Sequence, residues 1–191
     1  IGSGLVGSEM CIRDSINTEK REEILRNCRT EDERQRTAEL IRPILRGRDI
    51  KRYGYNWDNL WLINTHNGIK GVKPRININE YSAVKAYLDQ HWDKISKRAD
   101  KGDTPYNLRN CAYMEDFYKP KIVWGNLNLS AAYSIAADGI FVNAPCPMIV
   151  PASKYLLAIL NSKVADYYIR QLGVTLSLIH ISEPTRPEPI S

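Results

Sequence analysis

The chain has 191 residues, 43% of them hydrophobic and 26% charged, and its 27 Lys and Arg outnumber its 22 Asp and Glu for a net charge of +5. That composition is globular and excludes collagenous, coiled-coil and wholly disordered chains. No apolar run approaches the roughly 20 residues that span a bilayer, and no signal-peptide pattern opens the chain, so a soluble, cytoplasmic protein without membrane partners is expected.

The two ends are anomalous. Residues 5–15 (LVGSEMCIRDS) and 176–186 (LSLIHISEPTR) can be encoded by opposite strands of one short DNA: the reverse complement of a back-translation of the first reads as the second. Unrelated protein segments have no physical reason to share that relation, and the DNA resembles a transposase-based sequencing adaptor. Residues 1–15 are therefore expected to be adaptor-derived, and residues 176–191 an adaptor-derived or non-native tail. Residues 16–175 then carry 25 basic and 18 acidic groups, or +7, and read as an internal fragment of a longer protein. They keep Cys28, Cys111 and Cys146, without C-x-x-C spacing, and two histidines, so neither a zinc site nor a disulfide framework is indicated.

Residues 16–47 read as two short helices. Asn17 or Thr18 can cap the first, and Thr30 with Glu33 has the spacing of a capping box for the second, which stops before Pro43. Residues 44–55 read as a basic turn with a short strand, and residues 60–65 as a buried strand ended by His66, Asn67 and Gly68. Asn79 can cap a helix over residues 80–98, whose Val84, Tyr87, Leu88, Trp92 and Ile95 share one face. A polar loop over residues 100–110 and a helical turn near residues 113–117 follow. Strands are expected at residues 121–124, 131–136, 140–143 and 148–150. Ser153 then caps a last helix over residues 154–172, with Leu156, Leu157, Ile159, Leu160, Val164, Tyr167 and Tyr168 on a broad apolar face before Gly173. This order gives an α+β domain with a mixed or antiparallel sheet and flanking helices.

Signatures of independent catalysis are missing: there is no glycine-rich dinucleotide loop, Walker loop or nucleophile elbow. Glu115 and Asp116 near Lys119 and Lys121 have the residue types of a metal-dependent nuclease, in which carboxylates hold a cation and lysine assists water. The spacing fits no specific nuclease pattern, and solvated carboxylates are the alternative. His66 and His91 have no nucleophile partner in sequence. The basic clusters carry more information. Arg42, Arg46, Arg48, Lys51 and Arg52 crowd one segment with Asp49 as its only acid, a composition suited first to phosphate oxygens, with a solvated face as the alternative. Lys94, Lys97, Arg98 and Lys101 end the 80–98 helix, where cations also favour the helix dipole. Lys119 and Lys121 beside Trp124, Asn126 and Asn128 make a third group, since Asn can bond adenine edges, while Trp124 reads equally as a core residue.

Residues 41–53 (IRPILRGRDIKRY), 61–68 (WLINTHNG), 101–113 (KGDTPYNLRNCAY), 119–124 (KPKIVW) and 154–163 (KYLLAILNSK) together resemble the TaqI-like C-terminal specificity domain. This is the target-recognition part of adenine-N6 DNA methyltransferases and type IIG restriction-modification enzymes. The resemblance covers nearly all of residues 16–175 and implies a fragment of a larger target-recognition domain. It implies sequence-specific binding of double-stranded DNA and no catalytic residue in this fragment, because the family's Asn-Pro-Pro-Tyr type motif has no counterpart here; Asn143-Ala-Pro-Cys146 departs from it. S-adenosylmethionine, and Mg2+ if a nuclease accompanies it, are expected in the parent's other domains, with the upstream methyltransferase domain as a partner in the same chain. Flipping of the target adenine would occur there.

On that reading Arg46, Arg48, Lys51, Arg52, Arg98 and Lys101 are expected on the DNA backbone, with Lys119 and Lys121 as further contacts. Tyr106, Arg109, Asn126 and Asn128 are the candidate base readers. A self-contained nuclease and a protein-interaction domain with a basic docking surface are the alternatives. No metal ligand is assigned.

Overall fold

The computed structural model describes residues 15–171 apart from 70, 100, 126–129, 144 and 145. Strand β1 (Ser15–Asn17) leads into helix α1 (Thr18–Arg26), and Asn17 caps it by accepting the Lys20 N–H at 2.9 Å. Helix α2 (Glu31–Leu40) is capped by Thr30 as its sequence predicts, with the Glu33 N–H donating to the Thr30 hydroxyl. The other half of the capping box is redirected. One Glu33 oxygen accepts the Arg29 N–H, while the second accepts the Ser82 hydroxyl at 2.8 Å and the Ala83 N–H at 3.1 Å.

That redirection corrects the helix expected over residues 80–98. Its start is helix α3 (Ser82–Asp89), capped by a carboxylate from a distant part of the chain rather than by Asn79, which lies in a 3-10 turn at Ile78–Glu80. The helix breaks at Gln90 and His91 and resumes only as α4 (Trp92–Ile95), so Arg98 is no longer on a helix.

Strand β2 (Ile41–Leu45) begins before Pro43 and runs through it, where a helix end and turn were expected. It pairs antiparallel with β5 (Leu60–Ile63) and parallel with β8 (Phe141–Val142); β1 lies on the far edge of β5. A 3-10 turn at Gly47–Asp49 connects β2 to a tight hairpin of β3 (Ile50–Lys51) and β4 (Gly54–Tyr55). A second sheet places β6 (Lys121–Trp124) between β7 (Tyr133–Ala136) and β9 (Met148–Ile149), all antiparallel. The fold is α+β, with one mixed and one antiparallel sheet of three or more strands.

The main core gathers Ile16, Ile24, Ile41, Ile63, Val84 and Leu88 between α1, α2, α3 and the mixed sheet. Each such side chain contributes about 1.5–3 kcal/mol by leaving water. The last helix differs from its expectation. It forms as α5 (Lys154–Leu160), breaks at Asn161 and Ser162, and continues over residues 163–171. Its apolar face is largely outside: Tyr155 is 78% exposed and Val164 80%, and Tyr167 and Tyr168 are exposed as well. What anchors it is the break itself. The buried Asn161 carboxamide donates to Tyr133 O and accepts from Tyr133 N–H, imitating a strand neighbour for β7, and the Ser162 hydroxyl caps the next turn by accepting the Ala165 N–H.

Candidate nucleic-acid interface

Strand β5 ends in three buried polar residues, Asn64, Thr65 and His66, and the chain then turns out into a small hairpin over residues 67–75. Ile69 and Lys73 pair antiparallel across it. Gly68 has φ +79°, and a Cβ there would lie 2.5 Å from Lys73 O, so the stem closes only around glycine. His66 braces the stem because its Nδ1 accepts the Gly68 N–H at 3.1 Å, which requires the neutral ring. Burial, with the Lys73 charge second, pushes the His66 pKa below its ordinary value and keeps that acceptor available.

The loop over residues 101–112 stands beside this hairpin, and together they line an open cleft of about 940 Å³. Asn67 joins the walls: its oxygen accepts the Asp103 N–H at 2.9 Å, and its nitrogen donates to Asp103 at 3.0 Å and to Asn110 at 2.7 Å. Gly102 must be glycine for that approach, since a Cβ would meet the Asn67 side chain at 2.7 Å. Beneath the loop, buried Asn107 donates to Ile76 O, and the Arg98 guanidinium donates to Pro105 O and Asn107 O. Two basic side chains line the cleft. Arg75 lies 3.3 Å from Asp103, both on the surface, and Lys73, half-buried, approaches the Tyr118 ring at 6.0 Å. The cleft is therefore a braced loop pair with Lys73 and Arg75 as its basic lining and Asp103 as its acid.

The model of the TaqI-like C-terminal specificity domain matches residues 42–182. The chain belongs to that family. Membership assigns it to DNA-sequence specificity in methyltransferase and restriction enzymes, as restriction-modification target recognition within a larger methyltransferase chain. No curated relative matches the chain. The match with the specificity-domain family begins in β2, yet Ile16, Ile24 and Leu40, upstream of it, pack in the same core as Ile63 and Val84 within it. It ends beyond residue 175, inside the tail set aside above. No helix among the described residues is long and apolar enough to cross a membrane.

Two of the sequence blocks that carry the family resemblance, 61–68 and 101–113, meet at this cleft. The fold disposes of the individually expected residues less uniformly. Arg46 grips buried Asp49 through Nε at 3.0 Å and Nη2 at 2.9 Å and also binds Asp58, so its guanidinium is held within the β2–β3 turn. Burial alone would raise the Asp49 carboxyl; the Arg46 side-chain and backbone donors hold it below its ordinary value. Lys121 is fully buried, its Nζ donating to Phe117 O, Lys119 O and Ala137 O, and burial pushes its pKa down to about 8. Arg98 is 9% exposed with its Nη2 donating to two loop carbonyls, and Tyr106 donates to Asp89 at 2.6 Å while packing on Trp92. Lys121 and Arg98 are thus buried in the framework, whereas Arg46 and Tyr106 stay partly exposed while bonded to acidic neighbours.

Arg48, Lys51, Lys101, Arg109 and Lys119 remain on the surface. Lys51 donates to Arg48 O, Lys101 to Ser96 O, and Lys119 to Asp116. Arg52 is exposed but reaches Asn161 O at 2.7 Å beside Tyr53. Asn126 and Asn128 lie outside the described residues. Lys73 and Arg75, which no sequence expectation named, lie in a stretch with a signal of its own: two glycines followed by Lys-Pro-Arg. For nuclease chemistry, Asp116 pairs with Lys119, Lys121 faces inward, and no group of three metal-ligating side chains occurs among the described residues.

Proposed function

We propose that this domain binds double-stranded DNA for an adenine-N6 methyltransferase or a type IIG restriction-modification enzyme, through the cleft between the 67–75 hairpin and the 101–112 loop. The observation that carries the reading is the meeting of two family blocks at one rigid, cation-rimmed cleft. Lys73 and Arg75 hold phosphates and set register, with Arg48, Lys51, Lys101 and Lys119 extending the track. Asn110, on the cleft wall, and Arg109, Asn126 and Asn128 supply base-edge contacts of about 1–3 kcal/mol each. S-adenosylmethionine, and Mg2+ where a nuclease is fused, belong in this reading to other domains of the parent. The upstream methyltransferase domain is the covalent partner, and the cytoplasm, where the DNA is, is the compartment.

The test is duplex binding by the full-length parent across a salt series. The logarithm of affinity is expected to fall linearly with the logarithm of salt, and the slope to shrink by about 1 for each of Lys73→Ala and Arg75→Ala. A slope that neither substitution changes counts against the cleft as the interface.

A further inference from the structure

The 67–75 hairpin has a feature that phosphate binding leaves unused. Its tip residue Val72 is 77% exposed, and apart from chain neighbours no atom of the described residues lies within 4 Å of the place a Cβ on Gly71 would occupy. One exposed apolar residue is ordinary on any surface. This one is held out by a stiff support: the Val72 and Lys73 N–H groups donate to Ile69 O at 3.0 and 2.9 Å, Ile69 N–H donates to Lys73 O at 2.8 Å, and Ile76 N–H ties the hairpin base to His66 O. Gly71, at φ +77°, makes the turn.

Building on the DNA-binding reading above, we infer that Val72 is a specificity-determining residue, meeting an apolar base edge while Lys73 and Arg75 hold the phosphates to either side. A valine side chain offers no hydrogen bond to phosphate, and its burial against DNA is favourable only where the DNA presents apolar surface. The major groove presents one such group, the 5-methyl of thymine. Side chains that part stacked bases are Phe, Leu, Ile, Met or Pro, whereas Val is short and branched next to the backbone, which suits contact with an edge rather than insertion. Pre-ordering by the Gly68 stem and the Asn67 brace lets the contact form with little loss of loop entropy.

The experiment uses the full-length parent and a duplex carrying the site it methylates, with each thymine replaced in turn by deoxyuridine, which lacks only the methyl group. Wild type is expected to lose affinity about three- to tenfold at one thymine position, the scale of a buried methyl or two. Val72→Ala is expected to lose a similar factor on the unmodified duplex and to ignore the deoxyuridine at that position, with an unchanged salt slope and an unchanged melting temperature. If Val72→Ala matches wild type on every duplex while Lys73→Ala weakens all of them, the base-reading inference is overturned and the DNA-binding reading stands. If Lys73→Ala and Arg75→Ala also change nothing, both fall together.

Discussion

The segment over residues 42–52 and the hairpin over residues 67–75 are both rich in cations, and the fold treats them in opposite ways. In the first, Arg46 is clamped by Asp49 and Asp58, Arg42 is half-buried against Tyr118 and Arg52 reaches across to Asn161, leaving Arg48 and Lys51 on the surface. In the second, a stem too tight for any residue but glycine at its base lifts Lys73 and Arg75 onto the rim of a cleft. Cation density in a sequence therefore measures supply. Whether a guanidinium can meet a phosphate depends on how many donors the fold has already used, and the sparser segment is the better placed.

The largest test of that contrast is Arg46→Ala. Removing one partner of a mostly buried pair strands the Asp49 carboxylate, and a stability loss of about 3 kcal/mol is expected in denaturant unfolding. The salt slope of DNA binding should stay at the wild-type value in protein that remains folded. Asp49 also sets an acid limit. Its folded pKa is depressed, so its contribution is complete above the ordinary carboxylate range and disappears as pH falls through the folded value. Arg46→Ala should flatten that acid limb, and an unchanged limb would show the pair to be unimportant.

Lys121→Met sharpens the same point at a residue whose charge was read as surface. Three carbonyls lose their donor, and about 2 kcal/mol of stability should go with it. The folded pKa near 8 lies below that of the unfolded lysine. Between the two values the unfolded chain binds more protons, so stability should rise with pH across that window by at most about 1.4 kcal/mol per unit. Melting curves of wild type and variant from pH 7.5 to 10 isolate the Lys121 share, and a rise that survives in the variant assigns it elsewhere.

The hairpin side of the comparison predicts the reverse pattern. Arg75→Ala, on the surface, should leave stability within about 0.5 kcal/mol of wild type and Lys73→Ala, half-buried, within about 1 kcal/mol, while each lowers the salt slope of DNA binding by about 1.

Sequence reading recovered what is locally encoded. Asn17, Thr30 and Ser153 are caps because a side-chain oxygen next to a helix start needs no help from elsewhere. The strand runs 60–63 and 121–124 were legible from apolar and branched residues alone. The start of α3 was not, because its capping carboxylate is Glu33, reached only after the chain folds back. Neither was the exposed face of residues 154–171, since periodicity shows that a helix has an apolar side and says nothing about whether another element covers it. The site divides the same way. The two blocks that form it were both recognised as segments, but Asn67 and Gly102 bind them together through a contact that no spacing displays. Lys121 could have been suspected, for it opens a strand buried on both faces, where a lysine has to find carbonyls.

The smallest effect probes the hairpin from the acidic side. Asp103 sits 3.3 Å from the Arg75 guanidinium, and its carboxyl is held below the usual range by the Asn67 donor and then by Arg75. Asp103→Asn keeps an oxygen to accept from the Asn67 amide, and the backbone N–H that binds the Asn67 oxygen is untouched, so the brace between the two walls survives. What disappears is a negative charge beside the proposed phosphate track and the ion-pair partner that Arg75 has among the described residues. An exposed pair of this kind adds little to stability, so the melting temperature should not move, while DNA affinity should rise by about twofold at low salt and converge with wild type as salt screens the charge. An affinity that falls instead would mean that Asp103 itself contacts the DNA, through a base donor such as the cytosine amino group, and would move the centre of recognition from the hairpin to the loop.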